Sequence, residues 1–207
     1  MFYRALKILL IPFFKLLYRI KVVGRENEPS ENYIACANHS SYIDPVLIAY
    51  ALKHTQRFVA RSSLVRFGFY RWLFRRVKVI TINRGSTDIS SIRTITQAVS
   101  DGDCVSIFPQ GTRIKGVIPR PEQAQGGIGL LAVKTNALIL PVSIITKRLR
   151  PRLFKKTVIV IGKAIPASEY LNCCENSRSN NIAVFLFSRV CIPFEGMKSE
   201  KSDVEHG

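Results

Sequence analysis

The sequence predicts an α/β fold: a single domain with a mixed, largely parallel sheet flanked by helices. Three observations carry that expectation. Short apolar runs of strand length alternate with helix-period segments along most of the chain. Its 207 residues suit one domain with a proper core. Hydrophobic residues make up 47% of the chain and mean hydropathy is slightly positive, which excludes disordered and collagen-like classes.

The charge is the second global feature. Lys and Arg total 31 against 14 acids, a formal net charge of +17. Such a balance points to a polyanionic partner: nucleic acid, an anionic membrane surface, or acidic and phosphorylated substrates. No apolar run reaches the length needed to cross a bilayer. The cysteines, Cys36, Cys104, Cys173, Cys174 and Cys191, are odd in number and their spacing fits no zinc pattern, so no metal site is expected. Cys36 and Cys104 fall in apolar strand patterns and read as small buried core residues, which suits a reducing compartment.

Residues 1–20 read as an amphipathic helix. At about 100° per residue, Arg4, Lys7, Lys15 and Arg19 fall within roughly 120° of arc. Ile8, Leu9, Leu10, Phe13, Phe14, Leu16 and Leu17 spread over the remainder, and Pro12 would kink it. That pattern suits a helix lying in a membrane interface, and also an ordinary core-packing helix. Charges within the apolar region and the lack of a small-residue cleavage site argue against a signal peptide.

Lys21–Gly24 is a short strand, and residues 25–32 form a polar turn. Tyr33-Ile34-Ala35-Cys36-Ala37 reads as a buried strand leading into Asn38-His39-Ser40-Ser41-Tyr42-Ile43-Asp44-Pro45. A helix follows to Leu52, with Asp44 as its N-cap and Pro45 as its first residue. A histidine and a carboxylate therefore sit at the C-terminal end of a strand, where ligand sites in α/β sheets tend to form. Taken alone, His39 reads more readily as a loop histidine bonded to a backbone carbonyl. Ser40 and Ser41 do not sit in a G-x-S-x-G elbow, which argues against a serine hydrolase.

Arg57–Arg61 is the next strand. Residues 63–78 interleave Arg66, Arg71, Arg75 and Arg76 with Phe67, Phe69, Tyr70, Trp72 and Phe74. That mixture suits a lipid headgroup zone, single-stranded nucleic acid, or a helix with one core face. Val79–Asn83 is a strand ending at Arg84-Gly85. Residues 86–100 read as a helix with Ser86, Thr87 or Asp88 as cap candidates and Ile89, Ile92, Ile95, Ala98 and Val99 on its apolar side. Cys104–Phe108 is a buried strand ending in Pro109-Gln110-Gly111-Thr112-Arg113. A Gly- and Pro-rich loop runs to about Gly127, and residues 128–136 are a short helix. Leu138–Ile145 is a strand broken by Pro141. The basic connection Lys147–Arg152 precedes a last strand, Val158–Ile161. Past Pro166 the pattern fades: residues 171–195 read as an extension with a helix over 182–190, and 196–207 as a disordered tail.

Four of these blocks, in order and spacing, resemble the glycerolipid acyltransferase family that includes the 1-acylglycerol-3-phosphate acyltransferases. They are Asn38-His39 with Asp44 (N-H-x4-D), Ile80-Thr81-Ile82-Asn83-Arg84, Phe108-Pro109-Gln110-Gly111-Thr112-Arg113 (close to F-P-E-G-T-R), and Leu140-Pro141-Val142-Ser143. Residues 21–170 would be the acyltransferase domain. Three positions depart from the pattern. Gln110 stands for the usual glutamate, Ile114 for a common serine, and no glycine precedes the isoleucine run of the second block. The glutamine keeps hydrogen-bonding capacity but loses the charge, so it bears on acceptor preference.

The resemblance implies direct attack by an acceptor hydroxyl on an acyl thioester. His39 would be the general base and Asp44 the carboxylate that orients it. Gly111, Thr112 and Arg113 read as a phosphate loop, with Gln110 beside them, Arg84 as a second cation and Arg61 as a further basic contact. The expected substrates are a lysophospholipid acceptor and acyl-CoA or acyl carrier protein as co-substrate, with no cofactor and no nucleic acid. The expected place is the membrane, peripheral or monotopic, on the cytoplasmic face. The same chemistry on another lysophospholipid or a lyso-aminolipid remains open, as does a non-catalytic anionic-lipid or RNA-binding role.

Overall fold

The computed structural model describes residues 13–62, 68–82, 89–173 and 178–197. The strands are β1 Ile20–Val23, β2 Tyr33–Ala37, β3 Gln56–Arg61, β4 Ile80–Ile82, β5 Cys104–Ile107, β6 Leu138–Ile145 and β7 Thr157–Ile161. The helices are α1 Asp44–Ala51, α2 Gly68–Arg76, α3 Ile89–Ser100, α4 Gly127–Thr135, α5 Ala167–Asn172 and α6 Ser179–Cys191. The strands make one seven-stranded sheet in the order β1-β7-β6-β2-β5-β3-β4. Every neighbouring pair is parallel except β6 and β7, which are antiparallel. The expected α/β architecture is present.

The sheet is covered on both faces, which explains why its central strands are largely apolar rather than alternating. In β2, Ile34 and Cys36 face one core with Ile95 and Val99 of α3, Leu131 and Ala132 of α4, and Leu186 and Phe187 of α6. Tyr33, Ala35 and Ala37 face the other with Leu47, Ile48 and Ala51 of α1, and Phe14 and Tyr18 pack against that side. Cys36 and Cys104 are buried free thiols, as their strand patterns predict, and burial pushes the Cys36 thiol far up.

Three expectations change. First, β6 is not broken at Pro141, which holds its register opposite Cys36 of β2. Val142 pairs with Ile161, the last residue of β7, so the missing N–H of Pro141 faces the point where β7 has ended. The Pro141 carbonyl still accepts from the Gly162 N–H at 2.9 Å, and Gly162 lies under the ring, where an added Cβ would meet Pro141 Cγ at 2.9 Å.

Second, residues past 170 are not peripheral. Ile182, Ala183, Leu186, Phe187 and Val190 of α6 are all 0% exposed, and they close the same core as α3 and α4. Third, Asp44 is the first residue of α1 and Ile43 its N-cap, with no side-chain cap bond. Residues 1–12 of the expected N-terminal helix, residues 63–67, the cap candidates Ser86, Thr87 and Asp88, and the 198–207 tail lie outside the described residues. Among the described residues no helix is long and apolar enough to cross a membrane.

Strand polarity decides where function can sit. β2, β3, β4, β5 and β6 are mutually parallel along their adjacencies, so all five end at one edge of the sheet. β7 runs against β6, and β1 is parallel to β7, so both begin at that edge. The loops after Ala37, Arg61, Ile82, Ile107 and Ile145 therefore share an edge with the segment before Ile20. This is the edge where open α/β sheets bind ligands.

Candidate active site

The site is built on two adjacent parallel strands, β2 and β5, whose following loops lie side by side. Asn38 fixes the first loop. Its amide donates to the Ile144 carbonyl at 3.1 Å and accepts from the Ile144 N–H at 2.7 Å, replacing the ladder bonds that β2 would otherwise make with β6. The chain can then leave the sheet while staying attached to it.

His39 comes next, with Nδ1 2.8 Å from Asp44 Oδ2. Asp44 is fully buried and the His39 side chain is 18% exposed. The same Oδ2 accepts the N–H groups of Ser40 and Ser41, each at 2.7 Å. The tautomer follows from this arrangement. A carboxylate oxygen that already accepts two N–H donors takes a third, so Nδ1 carries the proton and Nε2 holds a free lone pair. Among the described residues Nε2 has no hydrogen-bond partner. The Phe108 ring stacks on the imidazole at 4.1 Å between centroids and 20° between planes, which fixes the ring's remaining freedom.

The local fold explains why Asp44 does not cap its own helix. The 39–43 turn brings three donors behind it, and its carboxylate turns back to serve them. Its other oxygen, Oδ1, is buried and has no partner among the described residues.

The second loop is braced to the first. Gln110 Oε1 accepts the His39 N–H at 2.7 Å, and Gln110 Nε2 donates to Gln123 Oε1 at 2.8 Å. The Ile114 N–H donates to the His39 carbonyl at 2.9 Å. Gln110 is 5% exposed, so its side chain points inward and both amide atoms are engaged. Gly111 has φ +63, which favours glycine, and a Cβ there would also push on the Gln125 side-chain amide at 2.6 Å. The loop's outer rim carries Thr112, exposed, and Arg113, half-buried. The Arg113 guanidinium lies 3.4 Å from the centroid of Tyr42, which belongs to the His39 loop and is 70% exposed.

His39, Asp44, Gln110, Gly111, Thr112 and Arg113 are thus gathered at one edge. Arg61 is the last residue of β3, at the same edge, and Arg84 lies outside the described residues. Sequence reasoning did not assign Asn38, Tyr42, Phe108, Gln123 or Gln125 to the site. Asn38 and Phe108 stood inside the quoted motif blocks, so adjacency could have flagged them. Gln123 and Gln125 act from a loop with no pattern of their own.

The fold is that of an α/β protein with its loops of interest at one sheet edge, and comparisons with known proteins give its family. The family model described as "Acyltransferase" matches residues 19–145, and the chain belongs to that family. It is 32% identical over 129 residues to a 1-acyl-sn-glycerol-3-phosphate acyltransferase of Borreliella burgdorferi, covering 61% of this chain and 51% of that protein. The chain thus spans about half the length of that relative. A Bacillus subtilis protein of the same name is 23% identical over 178 residues, covering 84% of this chain and 85% of its own. In fold, the chain matches the crystal structure of the 1-acyl-sn-glycerophosphate (LPA) acyltransferase from Thermotoga maritima with a TM-score of 0.73 and 22% identity, covering 95% of this chain and 78% of that one.

Proposed function

We propose that the protein moves a fatty acyl group from acyl carrier protein or coenzyme A to the free hydroxyl of 1-acylglycerol-3-phosphate, giving phosphatidate, at a membrane surface. The observation that carries this reading is the His39–Asp44 pair, with its free Nε2, held against a glycine-threonine-arginine loop. The names of the relatives supply the acceptor.

In this mechanism the acceptor hydroxyl oxygen attacks the thioester carbonyl carbon while His39 Nε2 takes the hydroxyl proton. The resulting imidazolium is stabilised by the Asp44 carboxylate at 2.8 Å. The tetrahedral oxyanion collapses, the carbon–sulfur bond breaks, and the leaving thiolate takes the proton from Nε2. The products are an ester and a free thiol, and His39 returns neutral. Arg113 and the Gly111–Thr112 backbone hold the acceptor's phosphate, a role that suits a planar guanidinium on an accessible rim. Gln110 acts as a brace for His39, so acceptor choice rests on the rim and not on Gln110 itself.

His39→Ala should lower turnover on dispersed 1-acylglycerol-3-phosphate by about 10²–10⁴-fold with unchanged far-UV circular dichroism. Turnover within threefold of the parent protein would remove His39 from the chemistry. A parallel acceptor lacking the phosphate monoester should be used poorly; equal use would assign the site to another lysolipid.

A further inference from the structure

The β6–β7 loop, residues 146–156, is not used by the chemistry above, yet it has an unusual composition and placement. It holds Lys147, Arg148, Arg150, Arg152, Lys155 and Lys156 and no acidic residue. These cations are all exposed, and none forms an ion pair among the described residues. Between them stand Leu153, 52% exposed, and Phe154, 64% exposed.

The loop is built rather than slack. Leu149 and Pro151 are buried anchors. The Leu149 N–H donates to the Thr146 carbonyl at 2.9 Å and the Arg150 N–H to Thr146 Oγ1 at 2.7 Å. Phe154 is held at φ 60, a left-handed conformation that disfavours a bulky residue, with its ring in water. The Phe154 N–H bonds the Leu17 carbonyl, which joins the loop to the helical turn where Phe13 is 57% and Leu16 76% exposed. Two linked segments thus expose four large apolar side chains, with exposed cations next to Leu153 and Phe154 in the chain.

The position is also specific. β6 neighbours β2, and the Asn38 amide grips Ile144, two residues before the loop begins. Neighbouring strands lie about 4.8 Å apart, so the loop rises roughly one strand away from His39.

We propose that the β6–β7 loop is a second membrane-contact element, seating Leu153 and Phe154 in an anionic bilayer beside the catalytic edge while its lysines and arginines engage the headgroups. The pattern of an apolar tip flanked by cations matches an anionic lipid surface. An acidic carrier protein would be met by the cations alone and leaves the apolar tip unexplained. The proposal deepens the membrane reading above: a lipid acceptor can present its hydroxyl to His39 while its tail stays in the bilayer. Its test does not depend on turnover.

The full chain is floated with phosphatidylcholine vesicles with and without phosphatidylglycerol. The double substitution Leu153→Ser, Phe154→Ser should lower partitioning onto the anionic vesicles about tenfold with the circular dichroism spectrum unchanged. In a separate variant, Phe154→Trp is combined with Trp72→Phe, which removes the single native tryptophan. Its emission should shift to the blue on anionic vesicles and be quenched by brominated lipids. Unquenched emission with full vesicle binding overturns the proposal. So does unchanged partitioning of the double variant, and weakened binding of that variant to acyl carrier protein would make the loop a protein-docking surface.

Discussion

At the scale of single residues, the informative position is Gln110, where a neutral amide stands in place of a family carboxylate. Its Oε1 meets the His39 N–H and its Nε2 meets Gln123 Oε1. A glutamate would keep the first bond. It would also present an oxygen to Gln123, whose amide can rotate to offer its nitrogen instead. The loss is then the long contact from the Arg120 N–H to Gln123 Oε1 at 3.3 Å, an exposed bond that water can replace. Gln110→Glu should therefore leave turnover within about twofold of the parent protein, since no bond to His39 is lost. Gln110→Leu strands the His39 N–H and leaves the Gln123 oxygen only its long contact with the Arg120 N–H, and should cost about 1–3 kcal/mol in urea unfolding together with a fall in turnover. The reverse order of damage would show that the charge at 110, and not the brace, is what the site needs.

At the scale of elements, α4 and α6 set the limits of what was legible. β2 and β5 are plain in the sequence because strands buried on two faces read as short apolar runs bounded by polar turns, whereas β7 alternates buried and half-buried positions and is read from its β-branched run. The His39–Asp44 pair was legible for a similar reason: its spacing is local. Asp44 was misread as a cap because the local rule for Asp-Pro ignores the donors of the preceding turn. The helix over 182–190 was visible, but its place in the core was not, since that depends on a contact between distant segments. Gly129 of α4 lies against the Ser179 carbonyl at the start of α6, and a Cβ there would overlap it. Backbone cannot step aside as a flexible side chain can. Gly129→Ala should lower stability by about 1–3 kcal/mol, read as a fall in the urea midpoint at constant m. Gly127, two residues earlier, has nothing within 4 Å of an added Cβ, so Gly127→Ala should be neutral or slightly stabilising. Equal effects at the two positions would mean that α6 does not pack on α4 as described.

At the scale of the whole molecule, the two edges of the sheet are built to opposite ends. The edge where β2 and β5 finish carries His39, the Gly111–Arg113 loop and the exposed basic–apolar loop. The edge where they begin is closed by a buried polar network centred on Glu28. Its carboxylate accepts from the Tyr33 hydroxyl at 2.7 Å, from the Lys53 N–H at 2.7 Å and from the His54 N–H at 2.9 Å. His54 Nδ1 lies 3.0 Å away. The Tyr33 hydroxyl in turn accepts from Gln56, which accepts from Ser106, linking the starts of β2 and β3 to β5. Burial alone would raise the Glu28 pKa, but the converging donors outweigh it and hold the carboxyl below its ordinary value. The sign of the linkage follows. A carboxyl whose folded pKa lies below its unfolded one adds stability above the unfolded value and loses it as pH falls through the folded one. Glu28→Gln removes the charge and turns an amide N–H₂ towards backbone donors. It should therefore be most destabilising near neutral pH, with the gap to the parent protein narrowing as pH falls below the ordinary carboxylate range. Urea midpoints of the two proteins across acid pH measure this directly. Parallel curves would mean that Glu28 titrates alike folded and unfolded, and that the closed edge is held by the Tyr33–Gln56–Ser106 chain without its charge.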